Sequence, residues 1–286
     1  MKIAVIGANG QLGTDLVKVF QKGHELVGFT HKEIEVTDPN SCLILKEQHP
    51  DVIINTAAFH KVDQCEDEPL KAFSVNAIGE KNIAALSKEI GAITVYISTD
   101  YIFDGAKTKP YTEDDFPFPI NTYGISKLAG ELYTRQNPKH YIFRVASLFG
   151  VAGASGKGGN FVETMIGKAQ RNEPISVVDD MWMSPTYTLD AAKTIKAVLE
   201  SKMPFGVYHA TNAGYCTWFH FSQEIFNILG LKPSLTPIKT EQLLMKAKRP
   251  KFSALESVKL HRYGLQPRDW RQALRDYLTA KGHLPK

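Results

Sequence analysis

The feature that most constrains this chain stands at its start. "KIAVIGANGQLGTDLVKVF" (2–20) sets a short apolar run, a glycine array and an amphipathic stretch in immediate succession. Gly7, Gly10 and Gly13 recur every third residue. A glycine triplet alone says little; one that leaves a strand and opens a helix has a physical reason at each position. Gly7 permits the tight turn, Gly10 lets backbone approach a pyrophosphate, and Gly13 lets the helix pack against the strand. Free N–H groups and the helix dipole then favour an anion at that helix N-terminus. Leu12, Leu16, Val19 and Phe20 share one helical face, and Gly23 is expected to stop the helix.

Later segments repeat the alternation. "ELVGF" (25–29), "DVIINTAA" (51–58), "ITVYISTD" (93–100) and "YIFRVAS" (141–147) read as further strands. Between them come a helix around 40–48 opened by "DPNS", a long helix over 69–91 closing at Gly91, and one beginning near Tyr123. Strands alternating with helices predict right-handed crossovers and a parallel sheet, and the near-continuous apolar strands predict a sheet covered on both faces. The expected fold is therefore α/β, a Rossmann-like doubly wound parallel sheet. After about residue 150 the rhythm breaks at the glycine-rich "GVAGASGKGGN" (150–160), and prolines at 174, 185, 204, 233, 237 and 250 punctuate the remainder of the chain. We expect residues 1–150 to form the dinucleotide-binding domain. Residues 151–286 should form mainly a smaller substrate-binding region, with room for chain crossings back to the sheet.

Bulk properties exclude several classes. The 286 residues are 43% hydrophobic, enough for a sizeable core, yet no apolar run reaches the roughly 20 residues that span a bilayer. The chain opens without the flanks or cleavage site of a secretory signal, so a soluble cytoplasmic protein is expected. Cys42, Cys65 and Cys216 are far apart and odd in number, which reads as reduced thiols. The nine His show no metal-ligand spacing. A net charge of +4 and one short basic run, "KAKRPK" (246–251), give no case for nucleic acid. That run reads as a solvated loop or as part of a pocket for a small anion.

Chemistry enters with "PINTYGISKLAGE" (119–131), which holds Tyr123 and Lys127 one helical turn apart on one side of a helix. Tyr277 and Lys281 have the same spacing, so the pair must be judged by its surroundings. "YISTDYIFDG" (96–105) leaves the fourth strand at its carboxyl end, beside the cofactor in such a sheet, and the helix carrying Tyr123 comes next. Thr99, Tyr123 and Lys127 are therefore expected to converge on a nicotinamide ring. Ketone reduction needs a hydride at carbon and a proton at the developing alkoxide. A phenol with a reference pKa of about 10 can supply that proton if neighbouring positive charge stabilises its phenolate. Thr99 would hydrogen-bond the substrate oxygen. At the second strand's tip "GFTHKE" places Thr30, His31 and Lys32 before Glu33, which suits a 2′-phosphate better than a bare ribose. NADPH is expected, with NADH left open.

This combination resembles the extended short-chain dehydrogenase/reductase superfamily. Within it, "NTAAFHKVDQCE" (55–66), "VNAIG" (75–79), "STDYIFDG", "PINTYGISKLAGE", "GGNFVETM" (158–165), "MSPTY" (183–187) and "RPKFSAL" (249–255) with Trp270 resemble the dTDP-4-dehydrorhamnose reductase family nearly end to end. The resemblance implies reduction of the 4-keto group of a dTDP-linked deoxysugar, for a cell-surface polysaccharide. It implies Tyr123 as proton donor with Lys127 as its modulator, and Thr99 and Asp100 at the sugar. Gly10, Gln11 and Leu12 would line the diphosphate, Thr30, His31, Glu35 and Val36 the adenosine half, and Ala57, Ala58 and Phe59 the underside of the cofactor. Asn160, Ser184, Pro185, Thr186 and Arg249 are implied for the sugar nucleotide, Arg249 suiting a diphosphate.

Two departures stand out. Many members of that family carry "RTSW" after the fifth strand, whereas this chain reads "RVAS", so Ser147 occupies the Trp position and the sugar may differ. Some members hold magnesium between subunits through carboxylates; Asp15 alone could serve here, so no metal is expected. A homodimer is admitted. A dehydratase is disfavoured because Tyr101, not a second carboxylate, follows Asp100. An epimerase, a reductase of another keto sugar, and an NADP-binding regulatory subunit remain as alternatives.

Overall fold

Each strand of the main sheet is apolar on both sides, and that decides the architecture. In β1 (Lys2–Ile6), Ile3 and Val5 join one core cluster while Ala4 and Ile6 join another. Helices must therefore cover both faces. In the computed structural model, which describes residues 1–153 and 159–285, they do. Beside β1 run β2 (Glu25–Phe29), β3 (Val52–Asn55), β4 (Ile93–Thr99), β5 (His140–Val145) and β6 (Gly206–His209), in the spatial order β6-β5-β4-β3-β1-β2. Every pairing in this sheet is parallel, with Ile3 opposite Leu26 on one side and Val52 on the other. The winding reverses between β1 and β3. A ligand crevice is expected outside their carboxyl ends.

Helix α1 (Gln11–Phe20) packs Leu12, Leu16 and Phe20 on the first face, and two turned residues separate its end from Gly23. On the second face α2 (Gly79–Glu89) supplies Ile83 and Leu86. The expected 69–91 helix is one rod interrupted by a π-turn at Ser74–Ile78. Helix α3 (Thr122–Thr134) starts at Asn121, whose side chain accepts the Gly124 N–H at 2.8 Å.

Beyond residue 150 the chain builds a second layer and also returns to the first. Helix α4 (Phe161–Gln170), α6 (Trp218–Leu229) and α7 (Trp270–Ala280) enclose a cluster centred on Phe149, Phe221, Trp270 and Tyr277. By contrast, α5 (Thr188–Glu200) lays Ala191, Ile195 and Val198 in the same cluster as α1, and β6 extends the sheet beyond β5. Part of the expected glycine-rich loop, residues 154–158, lies outside the described residues. No helix among the described residues is long and apolar enough to cross a membrane, and the three cysteines are buried thiols.

Candidate active site

The glycine turn behaves as its spacing predicts. Gly7 adopts φ +77°, where a side chain would also collide with Thr56 Oγ1 at 2.4 Å. A Cβ on Gly13 would lie 2.0 Å from the Gly7 carbonyl oxygen, so only glycine lets α1 approach so closely. Gly10 is the helix N-cap and offers no side-chain acceptor to the first turn, whose N–H groups are left to an anion. Two buried polar atoms at this end, Gln11 Oε1 and Ser98 Oγ, have no partner among the described residues. A polar group lining a cavity and lacking a bond is what a bound ligand would complete.

These residues line one cavity of about 680 Å3. Its wall includes Gly7, Gly10, Gln11, Leu12 and Gly13; His31, Glu35 and Val36; Ala57, Ala58 and Phe59; and Thr99, Asp100, Tyr123 and Lys127. Glycine turn and Tyr/Lys pair thus face the same space. Thr30 sits at the β2 tip, where its N–H donates to Glu33 at 2.7 Å and its hydroxyl donates to the same carboxylate. Glu33 therefore folds back onto the tip that the sequence pattern assigns to a hydroxyl and two basic groups.

Helix α3 reaches the cavity because it lies unusually close to β4. A Cβ on Gly124 would meet the Tyr101 carbonyl at 2.1 Å, and one on Gly130 would meet the Tyr96 hydroxyl at 2.4 Å. This proximity takes Lys127 inside, 2% exposed, with Nζ donating to the Ile97 carbonyl at 2.6 Å and lying 4.0 Å from the centre of the Tyr96 ring. Burial pulls its pKa down to about 7, against the attraction of Glu80 and Glu131. Burial likewise raises the Tyr123 phenol well above its usual value, opposed by a hydrogen bond with Thr99. Glu80 accepts from Asn55 Nδ2 and Thr134 Oγ1, each at 2.7 Å. Glu131 receives Arg144 Nε and Nη2, both at 2.9 Å, in a buried bidentate pair beneath α3.

Asp100 is buried and organises the strand end. Thr99 Oγ1 donates to its Oδ1 at 3.0 Å and Ser253 Oγ donates to its Oδ2 at 2.5 Å. Burial lifts its pKa to about 6, opposed by the bonds from Ser253 and Thr99. Thr99 has one proton, and here it goes to Asp100; the hydroxyl must turn to donate to a substrate oxygen.

The structure does not bring every expected residue to this wall. Asn160 caps α4, donating to the Gly150 carbonyl at 3.0 Å and to the Tyr277 hydroxyl at 2.9 Å. Ser184, Pro185 and Thr186 are buried, with Ser184 Oγ donating to the Leu255 carbonyl at 3.3 Å. Arg249 is half-buried and pairs with Asp63, Nη2 to Oδ2 at 2.8 Å and Nη1 to Oδ1 at 3.1 Å, and it also hydrogen-bonds Tyr101 in the cavity wall. Asp63, which reads from the sequence as a loop or capping carboxylate, anchors the 246–250 segment and also accepts the Ala247 N–H at 3.0 Å. Asp15 is buried and accepts from Thr188 Oγ1 at 2.5 Å. Tyr277 is a core residue, its hydroxyl donating to Glu163 at 2.6 Å. The wall also includes residues that the sequence did not assign to it, Tyr101 and Trp218 among them, and it includes Ser147, which stands where many of the family carry Trp. Tyr101 directly follows "STD", but a ring at a strand end is indistinguishable from core by sequence. Trp218 reads as helix packing, and it does pack on Phe161 at 4.6 Å between ring centres. Ser147 stands at φ +44°, which no sequence pattern announces for a serine.

A family model described as the RmlD substrate binding domain matches residues 1–282. The spore coat polysaccharide biosynthesis protein SpsK of Bacillus subtilis is 40% identical over 283 residues, 98% of each chain. A crystal structure of a dTDP-4-dehydrorhamnose reductase from Clostridium acetobutylicum superposes with a TM-score of 0.93 at 38% identity, covering 98% of this chain and 99% of that one. One from Bacillus anthracis, in complex with NADP, gives 0.92 at 37% identity with the same coverage. The match over the whole cavity-bearing chain, and not its glycine turn alone, places this protein in the RmlD substrate binding domain family.

Proposed function

We propose that this chain reduces the 4-keto group of dTDP-4-dehydro-L-rhamnose to give dTDP-L-rhamnose, a precursor for cell-surface polysaccharide. The observation that carries this reading is the single cavity whose wall holds both the glycine turn at α1 and the Thr99, Tyr123 and Lys127 side chains. The relatives support the choice of sugar by name, and the Bacillus anthracis relative, bound to NADP, supports the choice of cofactor. NADPH supplies the hydride that reaches the carbonyl carbon. The N–H groups opening α1 hold its diphosphate, and His31, Glu35 and Val36 border its adenosine half.

Tyr123 gives its proton to the oxygen that was the carbonyl. Burial, which keeps the phenol protonated through the neutral range, suits a donor and not a base. Asp100 orients Thr99, and Thr99 in turn keeps the phenol aimed. Lys127, anchored on the Ile97 carbonyl, presents its ammonium to ribose hydroxyls, and its positive charge stabilises the phenolate that the departing proton leaves. Neither carboxylate beneath it reaches the substrate; Glu80 and Glu131 stabilise the positive charge.

The test is NADPH oxidation with this keto sugar, wild type against Tyr123→Phe. Loss of a general acid costs about 10²–10⁴ in kcat, with NADPH affinity retained. Full activity in the variant excludes Tyr123 as donor. Ser147 is the observation that favours a second reading, a reductase of another nucleotide-linked 4-keto sugar: a wild type that binds NADPH yet ignores this sugar supports it.

A further inference from the structure

A carboxylate bonded to no cation lies beneath the Tyr123 and Lys127 pair. Glu80, the second residue of α2, is fully buried. Among the described residues it receives only neutral donors, Asn55 Nδ2 and Thr134 Oγ1. A charge so deeply buried needs an opposite charge close by. Glu131 has its own, because Arg144 forks onto it and Arg135 Nη2 stands 3.9 Å from its Oε2. Glu80 has the field of Lys127.

The packing of α3 brings those two charges together. A Cβ on Gly130 would meet the Tyr96 hydroxyl at 2.4 Å and the Asn76 carbonyl oxygen at 2.5 Å. Asn76 comes one turn before Glu80, and Gly130 about one turn after Lys127. The Tyr96 ring lies beneath Lys127, and its hydroxyl donates to the Asn76 carbonyl at 2.8 Å. Thr134, two turns beyond Lys127 on the same side of α3, is the residue that reaches Glu80. Lys127 is therefore faced by Tyr96 from β4, Glu80 from α2, and Tyr123 and Glu131 from its own helix, with Arg144 of β5 on Glu131. Asp100 and Cys65 act on Tyr123, and Glu66 holds Thr122 at the helix start. Lys71 stands over the Phe59 ring and pairs with Glu68.

We propose that Glu80 is a positioning residue that holds Lys127 in its ammonium form and so sets the upper pH limit of cofactor binding and reduction. Burial pushes the Glu80 carboxyl up and the Lys127 ammonium down, and the charge of each opposes the shift of the other. Without the carboxylate, Lys127 gives up its proton at a lower pH. This inference rests on the reading of Tyr123 and Lys127 as the reducing pair. Glu80→Gln removes the charge and keeps both bonds. The amide oxygen accepts from Asn55, and the amide nitrogen donates to Thr134, whose hydroxyl is also placed to donate to the Gly130 carbonyl at 2.9 Å.

The test follows NADPH affinity by fluorescence titration, and kcat/KM with the 4-keto sugar, between about pH 5 and about pH 10. Wild type, Glu80→Gln and Glu80→Asp are compared, and the position of the alkaline fall is read, not its height. In Glu80→Gln the fall should move down by about one pH unit or more. Glu80→Asp keeps the charge and should keep the wild-type position. Thermal unfolding checks the fold; should Glu80→Gln not fold, Glu80→Met, an apolar chain of similar length, is read in its place. A fall left at the wild-type pH in the uncharged variant overturns the assignment. So does Glu80→Asp moving as far as Glu80→Gln, since shape and not charge would then be the cause. A shifted NADPH profile in a chain that reduces no dTDP-linked keto sugar overturns the catalytic reading and leaves the role of Glu80 standing.

Discussion

His209 is completely buried on β6, with its backbone N–H on Glu113 at 3.1 Å and its ring Nδ1 3.0 Å from the Glu256 carbonyl. Burial, and then the positive charge of Arg144, pull its pKa from 6.5 to about 3. The unfolded chain therefore binds a proton between those values that the folded chain refuses. Stability from this residue is present above pH 6.5 and is lost as pH falls toward 3, at up to about 1.4 kcal/mol per pH unit. Urea midpoints of wild type and His209→Gln should diverge accordingly, wild type losing stability relative to the variant between about pH 7 and about pH 4.5. Parallel profiles would contradict this. At this scale the sequence spoke clearly for residues whose spacing carries a mechanism, such as Gly13 and Lys127. It was silent on His209, on the burial of Asp100 and on the backbone angle of Ser147, properties that distant segments impose.

Helix α3 is the element on which the site depends, because it carries Tyr123 and Lys127 against β4. Its N-cap, Asn121, also donates Nδ2 to the Lys248 carbonyl at 2.8 Å, tying the helix start to the 246–250 segment. Asn121→Ala should cost about 1 kcal/mol from the cap alone and loosen that segment as well. Chemical denaturation measures the first effect, and hydrogen exchange at 246–250 the second; a variant unchanged in both would show that the cap is dispensable. Periodicity revealed α1, near-continuous apolar runs revealed five sheet strands, and the Tyr123 and Lys127 spacing marked α3. None of these could reveal the π-turn at Ser74–Ile78. That turn carries Asn76 inward, where Oδ1 accepts the Phe59 N–H at 2.8 Å and Nδ2 donates to Ser126 Oγ at 2.9 Å. The reason for the turn lies in partners 17 and 50 residues away, beyond any local window.

Across the whole molecule, the cofactor layer and the substrate layer are not divided where the chain's rhythm changes. Helix α5 and β6 come from the later part, yet they cover α1 and complete the sheet, and Lys196 on α5 donates to the Val19 and Lys22 carbonyls at 2.8 and 2.7 Å. A chain of residues 1–150 alone exposes one side of α1 and the edge of β5. It should lack a cooperative thermal transition, whereas the full chain should show one; a sharp transition in the fragment by circular dichroism would contradict that expectation. The sequence hid this return because β6 is only four residues long and follows Pro204 in a region of mixed signals. The most direct test of the proposed reduction traces the reducing hydrogen itself. Wild type is given dTDP-4-dehydro-L-rhamnose and NADPH deuterated at the transferable position, and the sugar product is examined by NMR. One deuterium is expected, bound to C4 of a newly formed rhamnose ring. Product without deuterium at C4, or deuterium at any other carbon, would contradict hydride delivery to the 4-keto carbon.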